Sequence, residues 1–291
     1  MEGGFFLQVL FGGLTAGSIY VMVGLGIALV YRATRVLNFA HGEFVVFGAL
    51  LATSAVDGFQ APLIIAVLTG VAGAAALGFL LERSVLRPIS AKPLFVQILV
   101  TLGASICLRG LAMVIWGKDP LRLPSFSGEE PIRLQAAAIL PQTLWVICGA
   151  AVTVAALVVF LKHTKYGKAL RASAEDSISA TLVGIDSKRI ASLSYLVGAG
   201  VGGLAGVLMC PITTMDFHMG LLLAMKGLTA AIIGGLDRIV GVVIGGILLG
   251  VMEAFGSVFV SSTLKDALAF AVLICILMFR PQGLLGHQSA K

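Results

Sequence analysis

The feature that most constrains this chain is a succession of apolar runs, each close to the thickness of a bilayer and parted by short polar connections. They lie at 6–30, 42–56, 62–81, 94–116, 142–161, 190–209, 220–236, 239–260 and 265–280. A helix rises 1.5 Å per residue, so roughly 20 apolar residues cross a hydrocarbon core of about 30 Å. Transmembrane β-strands would be shorter and would alternate apolar with polar, and nothing here alternates. Charged residues make up 12% of the chain and hydrophobic ones 58%. A soluble protein carries about twice that charge, because it must cover its surface with polar groups. The expectation is an all-α, polytopic transmembrane helical bundle, one domain over 1–291, with eight or nine membrane segments. The short runs 42–56 and 220–236 suit re-entrant or broken helices. The first run has no basic leader and no small-residue cleavage site after it, so it reads as a retained span rather than a signal peptide.

Charge orients the bundle. Fourteen of the twenty Lys and Arg residues fall on one side: Arg32, Arg35, Arg83, Arg87, Lys92, the six in 162–189, Arg238, Arg280 and Lys291. Five fall on the other, and Arg109 lies within a run. The positive-inside bias assigns the richer side to the cytoplasm, with the N-terminus outside and the C-terminus inside. That parity requires an odd number of crossings and favours nine over eight. The net charge of +6 is spread through short loops without aromatic interleaving, so it argues for no nucleic-acid partner. Cys107, Cys148, Cys210 and Cys275 have no metal-ligand spacing and read as small buried residues. Neither a metal site nor a cofactor site is expected.

Small residues recur four apart within the runs: Gly13 and Gly17; Gly70, Ala74 and Gly78; Gly198, Gly202 and Gly206; Gly241 and Gly245. This spacing lets helix backbones approach closely where lipid removes the hydrophobic drive for association.

Four stretches carry polar chemistry. Asn38-Phe39-Ala40-His41-Gly42-Glu43-Phe44 follows the first run. Asn38 is a candidate N-cap and Glu43 suits the first turn of the next helix. The segment reads either as a capped helix start at the cytoplasmic interface or as Asn38, His41 and Glu43 lining a pathway or its gate. The loop 162–189 holds six basic and three acidic residues. Its stretch from Tyr166 to Gly184 reads as an amphipathic helix or helix pair, with Gly184 at a C-terminus and Asp186 as a turn or new N-cap. Its small residues and mid-helix acids favour a protein groove over a lipid surface. Arg109, Lys226 and Glu253 are charges at depth; Arg109 and Lys226 either snorkel or pair, and Lys226 can meet Glu253. Finally, 227–236, with Thr229 and the Gly234-Gly235 pair, suits a broken helix facing a cavity.

No phosphate-loop motif occurs: Gly117-Lys118 and Gly167-Lys168 are followed by Asp119 and Ala169. No HExxH and no GxSxG occurs either, so the chain is expected not to be an enzyme. His41 with Glu43 is the only support for a membrane-embedded one. A pump built on this chain would draw its energy from another.

These stretches, in this order, resemble the permease subunits of ABC importers for branched-chain amino acids. The motifs are NFAHGEF at 38–44, LERSVLRP at 81–88, YGKALRASAED at 166–176 with LVGID at 182–186, AGVL at 205–208, MKGLTAAIIGGL at 225–236, IGGILLG at 244–250 followed by Glu253, and RPQGLLG at 280–286. The resemblance implies a bacterial cytoplasmic membrane protein and a hetero-oligomer. Its partners would be a second homologous permease, two cytoplasmic ATPase subunits and an extracytoplasmic substrate-binding protein. It also implies that 162–189 contains the coupling helix, with Glu175, Asp176 and Gly184 as contacts or turn formers. The resemblance assigns no role to Asn38, His41 or Glu43; on their own chemistry these, with Thr229 and Glu253, are the candidates for the pathway or its gate. The rival is a stand-alone secondary transporter or channel for small polar solutes, which has no use for an acidic docking helix in that loop.

Overall fold

A computed structural model describes residues 2–134, 137–259, 265–280 and 282–285. Pro281 and Gly286 of the tail motif, Lys291 of the charge count and the stretch 260–264 lie outside the described residues.

The apolar runs become helices: α1 (Glu2–Thr34), α2 (His41–Phe59), α3 (Leu63–Leu81), α4 (Leu94–Trp116) and α5 (Pro141–His163), followed by α8 (Ser187–Met209), α9 (Met219–Gly234), α10 (Ile239–Phe259) and α11 (Lys265–Phe279). Two short helices, α6 (Lys165–Glu175) and α7 (Ser177–Leu182), occupy the basic loop. A π turn (Glu82–Leu86) and a 3-10 turn (Arg87–Ile89) extend α3, and a small hairpin, β1 (Ile132–Leu134) with β2 (Ala137–Ile139), precedes α5. Among the described residues seven helices are long and apolar enough to cross a membrane: α1, α2, α3 with its extension, α4, α5, α8 and α10. The run 42–56 therefore belongs to a helix of full crossing length. The run 220–236 forms a short continuous helix of 16 residues rather than a broken one. Its Gly-Gly pair ends it, because Gly235 (φ 101°) takes the backbone out of the helical region.

The bundle is layered around α1. In the most apolar window of α1, 89% of residues are enclosed by protein, against 22% in α3 and in α4. The outer faces of α3, α4 and α5 are thus left uncovered by this chain. Cys107, Cys148 and Cys275 lie on such exposed faces, and of the four cysteines only Cys210 is buried.

The four-residue stripes mark where helices touch. A Cβ at Gly17 would lie 2.9 Å from the Gly246 carbonyl oxygen, and one at Gly245 only 2.2 Å from that of Ala230. At Gly206 it would lie 2.0 Å from the Val45 oxygen. Dispersion between closely apposed backbones supplies the association that apolar burial cannot supply in lipid.

Two ends of the bundle are tied by hydrogen bonds. At one, the Arg35 guanidinium donates to the Ala174 carbonyl of α6 and meets Asp237 after α9 (3.4 Å). Ser192, near the start of α8, donates to Glu82 at the end of α3. At the other, Leu121 and Met215 exchange backbone hydrogen bonds (2.9 and 2.8 Å), so the loop after α4 covers the segment 210–218. The tail returns to the first end, where Leu284 N–H donates to the Ile233 carbonyl (2.8 Å) and caps α9.

Candidate functional site

The segment 36–43 is largely buried within the bundle rather than exposed at its end. Arg35 lies beside Asp237, beyond the C-terminus of α9, while a Cβ at Gly42 would collide with the Gly220 carbonyl at the start of that helix (1.8 Å). Residues 36–42 therefore run alongside α9 toward its start. On the way Leu37, Asn38 and Phe39 pass beside Leu228 and Ala224 in the middle of α9. In consequence α2 begins inside the bundle. Asn38 caps nothing directly: the helix opens after Ala40, and the Asn38 Oδ1 accepts from the Ala40 N–H (3.0 Å), folding the chain into an Asx turn.

His41 is fully buried between α1 and α8. A Cβ at Gly26 would lie 2.4 Å from its Nε2, and one at Gly202 3.3 Å from it. The imidazole fits only because both helices present glycine there. Among the described residues neither ring nitrogen has a hydrogen-bond partner, nor does the Asn38 amide nitrogen. Such orphaned polar groups are rare in folded interiors and call for an explanation.

Glu43 is also fully buried, in the first turn of α2 and against the start of α9. Two helix N-termini thus face its carboxylate, which the macrodipoles favour. Ser105 donates to Oε1 (2.8 Å) and Arg109 approaches it at 3.5 Å, both from α4. Glu43 Oε2 and Arg109 Nε have no hydrogen-bond partner among the described residues.

The second buried acid, Glu253 of α10, is bound more completely. Lys226 Nζ of α9 donates to its Oε1 at 2.6 Å, and the Tyr20 hydroxyl of α1 donates to its Oε2 at 2.7 Å. Lys226 also reaches the Tyr20 oxygen at 3.2 Å. Lys226 is 5% exposed and Glu253 8%, so Lys226 pairs within the bundle and does not snorkel to an interface. This triangle forms one wall of a cavity of about 370 Å³ between α1, α9, α5 and the segment 210–218. Thr229, one turn further along α9, is buried and does not line that cavity.

The basic loop is far from both acids in sequence and sits at the Arg35 end. Glu175 ends α6 and is exposed. The Asp176 carboxylate accepts from the Ser179 N–H (3.3 Å) at the start of α7. Gly184 (φ 89°) donates to the Thr181 carbonyl, and Ile185 to that of Ala180, both at 3.0 Å. These paired bonds form a Schellman turn, which favours glycine at that position. Asp186 then caps α8 by accepting from the amides of Lys188 and Arg189. Leu182 and Val183, just before the turn, are 82% and 78% exposed.

Tyr20 and Ser105 were not legible as site residues. A tyrosine or serine within an apolar run carries no signal until the acid it serves is known to lie opposite.

A family profile described as branched-chain amino acid transport system / permease component matches residues 9–277. This chain belongs to that family. The family's curated members include the high-affinity branched-chain amino acid transport system permease protein LivH of Escherichia coli K12, which is 33% identical over 99% of this chain and 97% of its own length. BraD of Pseudomonas aeruginosa, named likewise, is 31% identical over 98% of this chain and 97% of its own. A probable LivH of Methanocaldococcus jannaschii is 26% identical over 96% and 92%. Among solved structures, PsaBC from Streptococcus pneumoniae in complex with Fab matches with a TM-score of 0.50 at 14% identity, covering 95% of this chain and 92% of that one. That likeness is one of fold. Membership of this family makes the chain a permease subunit of an ABC importer, a multi-pass membrane protein that works with other transporter components.

Proposed function

We propose that this chain supplies half of the translocation pathway for branched-chain or related amino acids in the bacterial cytoplasmic membrane. It would pair with a second homologous permease, two cytoplasmic ATPases and an extracytoplasmic binding protein. The observation that carries this reading is the family match along nearly the whole chain, to relatives whose own names specify branched-chain amino acids. The Lys and Arg bias supports an N-terminus outside and a C-terminus inside.

In this reading the loop 162–189 is the cytoplasmic coupling element. Two apolar side chains held in water by a Schellman turn, Leu182 and Val183, suit insertion into a protein groove. Glu175 flanks them, and Asp176 and Gly184 shape the turn at either end of α7. Asn38, His41, Glu43 and Thr229 form the gate. The orphaned polar atoms of the first three cost free energy in this state, and they gain partners when α1, α8 or α9 shifts or a polar solute passes. The mechanism is alternating access: ATP-driven closure of the ATPases moves α6 and α7, and α6 is tied to the end of α1 through Arg35.

Purification of the chain from its native membrane in mild detergent tests this. Co-recovery of an ATPase and a second permease is the expected result. Recovery of the chain alone, transporting in proteoliposomes without ATP, would replace the reading with a stand-alone carrier. Gly184→Val, which cannot take φ 89° without strain, should leave ATP hydrolysis largely intact and lower uptake per ATP several-fold.

A further inference from the structure

The cavity beside Tyr20, Lys226 and Glu253 supports a more specific reading, resting on the permease function proposed above. A buried ion pair is weak evidence for stability, since apolar residues of like volume often serve as well or better. This pair, moreover, is not enclosed on all sides by packing: it faces open space of about 370 Å³, within the size range of small-molecule sites. The rest of the lining suits an aliphatic amino acid. Ile19, Met209, Ile212, Met219 and Leu223 form apolar wall, and Thr15 and Thr213 add hydroxyls.

We infer that the Lys226–Glu253 pair is the transit site for the substrate's zwitterionic end. Lys226 receives the α-carboxylate, Glu253 receives the α-ammonium, and the apolar wall holds the branched side chain. The Tyr20 hydroxyl, which now donates to Glu253 and accepts from Lys226, turns to donate to the incoming carboxylate. The exchange is balanced in charge. One internal ion pair opens and two intermolecular ones form, so no buried charge is left alone and no net charge enters the bundle. A simple cation or anion would satisfy one protein group and strand the other, so the site selects for a molecule carrying both charges on one carbon.

The test uses the whole transporter, with partner permease, ATPases and binding protein, in proteoliposomes. It reads radiolabelled leucine taken up per ATP hydrolysed in Lys226→Met, Glu253→Gln, the double variant and Ile212→Trp. The expected result is at least a tenfold fall in that ratio in each single charge variant, with no recovery in the double variant. Ile212→Trp, which narrows the cavity and spares the pair, should lower the ratio similarly. Ratios within twofold of wild type in the charge variants, or recovery in the double variant, would make the pair a packing element and overturn the inference. If the charge variants do not assemble, Ile212→Trp decides: a normal ratio there overturns it. A wild-type transporter with no ATP-dependent leucine uptake would instead remove the permease reading, and this inference with it.

Discussion

The two buried carboxylates, Glu43 and Glu253, solve one problem in opposite ways. Glu253 has a cation at 2.6 Å and a phenol at 2.7 Å, and beside them lies a cavity. Glu43 has a serine at 2.8 Å, an arginine at 3.5 Å, one oxygen without a partner among the described residues, and Gly220 at the start of α9 pressed against it. The first acid is fully paired and lines a cavity; the second is half-paired and fully buried. A buried charge in this bundle is held either by a strong local partner or by enclosure and helix dipoles.

The contrast can be broken at several points. The largest effect belongs to Gly42→Val. Its side chain would enter the backbone of Gly220, so almost no monodisperse protein should be recovered by size-exclusion chromatography. Recovery at wild-type yield would mean that α2 and α9 are not in contact there. Next comes Arg109→Met, which leaves Glu43 buried with Ser105 alone. A cost of about 3 kcal/mol in detergent unfolding is expected, relieved by adding Glu43→Gln. Lys226→Met should cost less, about 1–2 kcal/mol, because Tyr20 remains and the cavity can admit water to Glu253. Equal costs for these two variants would erase the distinction drawn here. The smallest effect is expected at Gly12→Ala on the cavity wall. A Cβ there meets nothing within 4 Å, so unfolding should shift by no more than about 0.5 kcal/mol.

Much of this was legible before any coordinates. Long apolar runs fold as helices in lipid because no other element satisfies its own backbone there, and the run boundaries match the helix ends closely. The four-residue glycine stripes announced the close contacts, and Gly184 and Asp186 announced a turn and a cap. Local chemistry is enough for such features. The depth of Asn38, His41 and Glu43 was not legible, because an extended segment running beside α9 looks in sequence like a loop at an interface. Nor was the outward aspect of three cysteines, since an apolar run has the same composition whether it faces lipid or protein.

By itself the sequence determined the class of fold, the helices and their ends, the glycine contacts and the family. Each follows from runs, spacings and motifs that act over a few residues. Only the tertiary structure decided that Tyr20, Lys226 and Glu253 meet beside a cavity and that Ser105 and Arg109 reach Glu43. The partners lie on different helices, up to 233 residues apart. Which side chains face one another across packed helices depends on rotation and depth, and no local pattern encodes those.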